Sequence, residues 1–165
     1  MNVDLLLYKT IKNSKIDLIL SLPCIMLKGL LQVIEEKNEI DHISITREEE
    51  GIGIAAGAYL GGKVPAIVMQ NSGLGNSVNA IKSLLQLYRI PVIFIMSHRG
   101  GEGEKILAQI PMGKLTPDLL DLLKIETFIV DSERNIKHIQ TAVEQSLSSG
   151  IPTGILLKKK LWGSL

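Results

Sequence analysis

The sequence predicts a doubly wound α/β fold, in which a mainly parallel sheet carries helices on both faces. Short segments rich in Val, Ile and Leu recur along the chain and are apolar on both faces, as strands covered by helices must be. Segments with helical patterns lie between them, where parallel strands need crossovers. The expected strands are 16–22, 40–45, 64–70, 91–97, 127–130 and 153–157. The expected helices are 3–13, 26–37, 48–60, 76–88, 117–123 and 135–148.

Composition and charge narrow the range of functions. A chain of 165 residues is the size of one domain, and we expect residues 1–165 to form a single domain. The 18 Lys and Arg balance 17 Asp and Glu to a formal charge of +1, so we expect no nucleic acid and no anionic membrane as a partner. The basic run 158–160 is expected to be a solvated chain end. A mean hydropathy of +0.25 is high for one small domain and predicts a surface that meets another subunit.

The expected location is the cytoplasm. The single cysteine, Cys24, excludes an internal disulfide and fits a reducing compartment. The first residues lack the basic stretch and the small-residue cleavage site of a signal peptide. The apolar run 90–96 is far too short to cross a bilayer.

Loops after the strands are the expected place for a functional site, because ligands of open α/β sheets gather at the carboxyl ends of the strands. These loops are 22–24, 46–48, 71–75 and 98–105. Segment 99–105 is rich in glycine and polar residues, so it is expected to be mobile and is a candidate lid.

The helix predicted from residue 48 has an unusual first half. Acidic residues in a first turn are favoured by the helix dipole, and Thr46 is a candidate N-cap with Glu49 completing a capping box. The glycines of segment 51–57 would weaken the helix by about 1 kcal/mol each, which indicates that something approaches it closely. A helix of a second subunit and a flat cofactor ring would both explain them. A dinucleotide fingerprint would not, because its glycines precede the helix, where this chain has three glutamates.

The segment after the strand 64–70 has two interpretations. Its glycines, its Asn and Ser side chains and the amides of the next helix could hold a ligand. It is equally compatible with a plain turn that carries an Asn or Ser cap. No Lys-Ser or Lys-Thr pair ends it, so hydrolysis of a nucleoside triphosphate is not expected. The segment comprises Asn71, Ser72, Gly73, Leu74, Gly75 and Asn76.

Cations near strand ends are candidates for binding an anionic substrate. His98 and Arg99 end the strand 91–97, and Lys28 follows another strand; a guanidinium could bind an anion by its two-pronged fork. Cys24 has no base beside it in sequence, which favours a buried thiol over a nucleophile. The histidines lack metal-ligand spacing, so no metal site is expected.

Residues 47–60 followed by residues 69–76 resemble the pyrimidine-binding domain of thiamine diphosphate-dependent 2-oxo acid decarboxylases. The likeness covers nearly the whole chain. In this family a glutamate precedes a helix glycine by nine positions, and counting back from Gly57 leads to Glu48. Within the family, the chain is most similar to enzymes that decarboxylate 3-sulfopyruvate, and next to those that decarboxylate phosphonopyruvate.

The resemblance implies a role for each candidate. Glu48 would be the catalytic residue, bonded to N1′ of the cofactor's aminopyrimidine ring. The pyrimidine side would be lined by Asn71, Ser72, Gly73, Leu74, Gly75 and Asn76. The candidates for the substrate side are Cys24, Lys28, His98 and Arg99.

The resemblance also implies a partner. The family's diphosphate-binding domain carries a Gly-Asp-Gly motif that holds Mg²⁺, and this chain contains no such motif. In the sulfopyruvate enzymes that domain lies on a separate beta subunit, which we therefore expect as the partner. The product would be sulfoacetaldehyde, on the route to coenzyme M. The alternatives are a subunit that acts on phosphonopyruvate, for which His98-Arg99-Gly100 departs from the usual Trp-Arg-Gly, a subunit for another 2-oxo acid, or a non-catalytic interaction module of the same fold.

Overall fold

A computed structural model describes residues 2–163, which form one sheet of six parallel strands with α-helices between them. The strands are β1 (Leu18–Ser21), β2 (Asp41–Ser44), β3 (Pro65–Gln70), β4 (Ile93–His98), β5 (Glu126–Val130) and β6 (Thr153–Lys158). The helices are α1 (Val3–Asn13), α2 (Lys28–Lys37), α3 (Glu48–Leu60), α4 (Gly73–Ala80), α5 (Ile110–Leu122) and α6 (His138–Ser149). Helix α4 continues as a π-helical segment over Ile81–Gln86, and short 3₁₀ turns cover Ile25–Leu27, Leu107–Gln109, Glu133–Asn135 and Lys159–Trp162.

The sheet has the strand order β2-β1-β3-β4-β6-β5, and every pair is parallel. Neighbouring residues of one strand enter different cores: Val68 packs with α1, α2 and α6, while Ile67 packs with α3, α4 and α5. The predicted doubly wound fold and all six predicted strands are confirmed. The prediction that every strand is buried on both faces is wrong for β2, whose residues are exposed or half-buried. Strand β2 lies at the edge of the sheet and pairs with β1 on one side only.

Two helices begin earlier than the sequence predicts. The helix predicted to start at residue 76 starts at Gly73, so the glycines read as a loop form its first turn. The helix predicted to start at residue 117 starts at Ile110 and contains Pro117 in its interior. A proline has no N–H to donate to the carbonyl four residues earlier, which here belongs to Gly113. His98 Nε2 bonds to that carbonyl at 2.8 Å, which satisfies the group that Pro117 leaves free.

Packing explains the glycine of α5. A Cβ at Gly113 would lie 2.4 Å from the Arg99 carbonyl oxygen and from the Cα of Gly100. Gly100 has a φ of +78°, and a Cβ on it would lie 2.0 Å from the Gln109 carbonyl oxygen. Helix α5 therefore packs directly against the segment that follows β4. No helix within residues 2–163 is long and apolar enough to cross a membrane.

Candidate functional site

The carboxyl edge of the sheet brings Glu48 and the start of α4 together. Glu48 is the first residue of α3 and is half-buried. Its Oε2 accepts a hydrogen bond from Asn76 Nδ2 at 3.0 Å. A Cβ on Gly73 would lie 2.4 Å from Glu48 Cγ and 2.6 Å from its Oε1. Only a glycine at position 73 leaves room for this carboxylate, so the loops after β2 and β3 form one site.

The three adjacent glutamates have different surroundings. Glu50 accepts hydrogen bonds from the Thr46 hydroxyl at 2.8 Å and the Thr46 N–H at 3.2 Å. The predicted capping box is therefore wrong: Arg47 is the N-cap residue, and Glu50 rather than Glu49 reaches back to Thr46. Glu49 Oε1 pairs with Arg47 at 2.7 Å, while its buried Oε2 has no hydrogen bond within residues 2–163. Among the hydrogen bonds of the described residues, Glu48 is the one of the three that bonds to α4.

The glycines of α3 serve two purposes. A Cβ on Gly51 would lie 2.4 Å from Ile45 Cδ1, so Gly51 allows α3 to pack closely on the sheet. Gly53 and Gly57 are exposed and would meet nothing within 4 Å among the described residues. Close packing within the chain explains the first glycine, and the other two form a smooth outer surface.

Asn71 joins three segments of the chain. Its side chain is buried, with a relative exposure of 1%. Oδ1 accepts from the Arg99 N–H at 3.0 Å, and Nδ2 donates to the Arg99 carbonyl at 3.2 Å and to Thr116 Oγ1 at 2.8 Å. The side chain therefore connects the end of β3 to the end of β4 and to α5. Its direct contact with a ligand stays a prediction.

The other residues of the 71–76 segment divide between core and surface. The Leu74 side chain lies in the core beneath α3 and α4, so only its backbone can contact a ligand. Ser72 Oγ accepts from Gln70 Nε2 at 2.7 Å, and the same nitrogen donates to Gln109 Oε1 at 2.9 Å. Gly75 and Asn76 are exposed beside Glu48.

The four candidates for the substrate side do not lie together. Cys24 and the exposed Lys28 line a cavity of about 530 Å³. Cys24 Sγ lies 3.2 Å from Ser97 Oγ, which places it one residue from His98 along β4. His98 itself lines a different cavity of about 920 Å³.

Arg99 is bonded within the chain. Its Nε and Nη2 bond to the two oxygens of Glu104 at 2.7 and 2.9 Å, and both side chains are about nine-tenths buried. Glu104 also accepts from the N–H groups of Gly100 and Ile106. The bond to Arg99 holds the pKa of Glu104 well below its usual range. The predicted lid segment is thus anchored at both ends, and the fork of Arg99 is occupied.

His98 contacts a lysine that the sequence did not single out. It is buried at the end of β4, where its register partner on β6 is Lys158. The Lys158 ammonium contacts His98 Nδ1. Burial lowers the pKa of both groups; the Gly113 carbonyl opposes this for His98, and Asp131 opposes it for Lys158. The expected solvated chain end at 158–160 is therefore wrong for Lys158, which is half-buried.

Comparisons with known proteins decide the family. Residues 1–125 match the family described as thiamine pyrophosphate enzyme, N-terminal TPP binding domain. The chain belongs to this family. It is 47% identical over 163 residues to the sulfopyruvate decarboxylase subunit alpha of Methanococcus maripaludis, with 98% of each chain covered. The protein of the same description from Methanocaldococcus jannaschii is also 47% identical over 163 residues, covering 98% of this chain and 96% of that one.

A solved structure shares the fold. The 2-oxoglutarate:ferredoxin oxidoreductase from Magnetococcus marinus, with 2-oxoglutarate, coenzyme A and succinyl-CoA bound, matches with a TM-score of 0.75. The match covers 97% of this chain and 29% of that one at 13% identity, so it concerns the fold alone.

The residues around Glu48 fit the pyrimidine end of thiamine pyrophosphate, also called thiamine diphosphate. Asn76 is the one hydrogen-bond partner of the Glu48 carboxylate in the described part of the chain, so its Oε1 is available for a hydrogen bond to a ligand. The missing side chain at Gly73 gives the Glu48 side chain the room that it occupies. Across residues 2–163, no group of three His, Cys, Asp or Glu is placed to hold a metal ion.

Proposed function

We propose that this chain is the alpha subunit of a thiamine diphosphate-dependent decarboxylase. Its reaction converts 3-sulfopyruvate to sulfoacetaldehyde and carbon dioxide in the biosynthesis of coenzyme M. The observation that carries the proposal is the contact between Glu48 and the start of α4, in which Gly73 leaves room for the carboxylate and Asn76 orients it. The relatives described above, alike over nearly their whole length, support the choice of substrate.

Glu48 is the proposed catalytic residue. When bound, thiamine diphosphate supplies a thiazolium carbon that adds to the keto carbon of a 2-oxo acid and takes up electrons as carbon dioxide leaves. The Glu48 carboxyl group would share its proton with N1′ of the aminopyrimidine, whose ring nitrogen offers a lone pair. Asn76 donates to Oε2 of Glu48, so Oε1 is the oxygen available to hold the shared proton. Asn71 positions the loop through its bonds to Arg99 and Thr116.

The rest of the cofactor site belongs to a partner in this proposal. A beta subunit with the diphosphate-binding domain would hold Mg²⁺ and the diphosphate, because this chain has neither a Gly-Asp-Gly motif nor, within residues 2–163, a group of metal ligands. Exposed apolar side chains on the α3 and α4 side support a protein partner: Leu60, Leu87 and Tyr88 are 76%, 66% and 66% exposed. Residues 1–165 act here as one domain, located in the cytoplasm.

Reconstitution tests the proposal. The chain is mixed with candidate beta subunits, thiamine diphosphate and Mg²⁺, and carbon dioxide release is followed with 3-sulfopyruvate, phosphonopyruvate or pyruvate. We expect release from 3-sulfopyruvate that requires every component. A stable complex that releases no carbon dioxide from any of the three acids would instead support the non-catalytic interaction module. Faster carbon dioxide release from phosphonopyruvate would instead support the alternative of a subunit that acts on phosphonopyruvate.

A further inference from the structure

A second cavity lies at the carboxyl edge of the sheet, away from Glu48. It has a volume of about 920 Å³ and opens at the ends of β4, β5 and β6. Basic groups predominate in its lining, although the chain as a whole carries a formal charge of only +1. Its basic residues are His98, Lys105, Lys158, Lys159 and Lys160. Its acidic residues are Glu102 and Asp131.

The floor of this cavity is a histidine with a defined tautomer. Pro117 has no N–H for the Gly113 carbonyl, and His98 Nε2 lies 2.8 Å from that oxygen. A carbonyl only accepts, so Nε2 must carry the ring proton and donate it. Nδ1 is then an acceptor, and the Lys158 ammonium donates to it. The neutral imidazole orients this ammonium but leaves its charge uncompensated.

Within residues 2–163, Lys158 forms no ion pair with a carboxylate. Among residues 2–163, no Asp or Glu oxygen lies within 4.0 Å of its ammonium nitrogen. Asp131, the nearby acidic residue, pairs instead with Lys160 at 3.7 Å. Lys105 and Lys159 likewise form no ion pair within the described part of the chain. Partial burial of an ammonium is costly unless an anion pairs with it, so an anion bound beside Lys158 would stabilise this arrangement.

We propose that this cavity binds a small tetrahedral oxyanion, a sulfonate, sulfate or phosphate group, through Lys158, Lys105 and Lys159. Lysine is suited to binding such an anion, because its ammonium is a point charge with three hydrogen-bond donors on a flexible side chain. Arg99 cannot take this role while Glu104 occupies its fork. The anion is either the sulfonate of the 2-oxo acid substrate or a free inorganic ion.

The position of the cavity connects it to the candidate active site. His98 precedes Arg99, whose backbone is bonded to Asn71 at the start of the candidate cofactor loop. A substrate whose sulfonate occupied the cavity would therefore extend along the end of β4 toward that loop. The proposed binding of an anion does not depend on decarboxylase activity. Only the assignment of that anion to the substrate rests on the proposed function.

Calorimetric titration of the full-length chain tests the site. The probes are sodium sulfoacetate, an unreactive sulfonate, and sodium sulfate, at constant ionic strength in chloride. We expect saturable binding of at least one probe, with affinity at least about tenfold lower in Lys158→Met and in the exposed loop variant Lys105→Met. Lys9→Met, which removes an exposed charge from α1, should bind like the wild type. Absence of saturable binding in the wild type, or equal affinity in both cavity variants, would overturn the proposal.

The two probes separate the two sources of the anion. Tighter binding of sulfoacetate supports the substrate sulfonate, and Lys158→Met should then raise the KM for 3-sulfopyruvate more than the KM for pyruvate in the reconstituted enzyme. Binding of sulfate alone supports a site for a free ion and overturns the assignment to the substrate. An inactive complex whose free chain still binds anions would contradict the proposed function and leave the anion site standing.

Discussion

Replacing Gly73 by alanine tests whether the site depends on the space beside Glu48. The new Cβ would lie 2.4 Å from Glu48 Cγ, whereas ordinary contacts begin at 3.4 Å, so the glutamate must move by about 1 Å. Overpacking costs about 1–3 kcal/mol, and the better helix propensity of alanine returns about 1 kcal/mol. The net cost to the free energy of unfolding is therefore between about 0 and 2 kcal/mol. The displaced carboxylate should lose its bond to Asn76, and activity should fall sharply.

The matched control is Gly53→Ala. Gly53 is exposed in α3 and its Cβ would meet nothing within 4 Å, so we expect a gain of about 1 kcal/mol from helix propensity. Urea unfolding of the free chain measures both stabilities, and carbon dioxide release by the reconstituted enzyme measures activity. If Gly73→Ala were stabilised as much as Gly53→Ala and turned over at the wild-type rate, Gly73 would not be needed to make room for Glu48.

Two further predictions concern the segments around the site. Asn71→Ala should lower the free energy of unfolding by about 1–3 kcal/mol, because it removes the side-chain partner of the buried Arg99 carbonyl oxygen, while the Arg99 N–H keeps its bond to the Ser97 carbonyl; a loss under about 0.5 kcal/mol in urea unfolding would contradict this. Glu104→Gln should destabilise the chain at neutral pH. Arg99 depresses the pKa of Glu104 from an ordinary 4.5, so the stabilisation is present above that pH and is lost as the pH falls toward the folded-state pKa. The stability difference between wild type and variant should therefore narrow on acidification, and a difference independent of pH between about 3 and 7 would count against the ion pair.

The sequence predicted the strands well because each central strand is apolar on both faces, a pattern that requires helices above and below. It places the starts of α4 and α5 too late, at residues 76 and 117, because glycine and proline are unfavourable inside a helix. Gly73 is needed inside a helix by the side chain of Glu48, and Pro117 is tolerated inside one because His98 satisfies the Gly113 carbonyl. Both causes are tertiary contacts between segments far apart in sequence.

The candidate site was predictable only in part. The family resemblance, through the spacing to Gly57, predicted Glu48 among three glutamates, and in the structure Glu48 bonds to Asn76 of α4. The sequence did not predict the contact between Lys158 and His98, because this contact depends on β6 pairing with β4 across 60 residues of chain. Arg99 looked like a free cation in sequence, whereas its partner Glu104 lies in the loop that was expected to be mobile.

Carbon dioxide release by Glu48→Gln is the most direct test of the account. The reconstituted enzyme carries either Glu48→Gln or its control Glu50→Gln, which alters an exposed glutamate of the same helical turn whose side chain bonds to Thr46. Glutamine keeps the shape of the side chain but has no carboxyl proton to share with the cofactor ring. The account predicts that Glu48→Gln lowers kcat by at least about 100-fold while the complex still assembles, and that Glu50→Gln keeps the wild-type rate. Wild-type turnover by Glu48→Gln would contradict it.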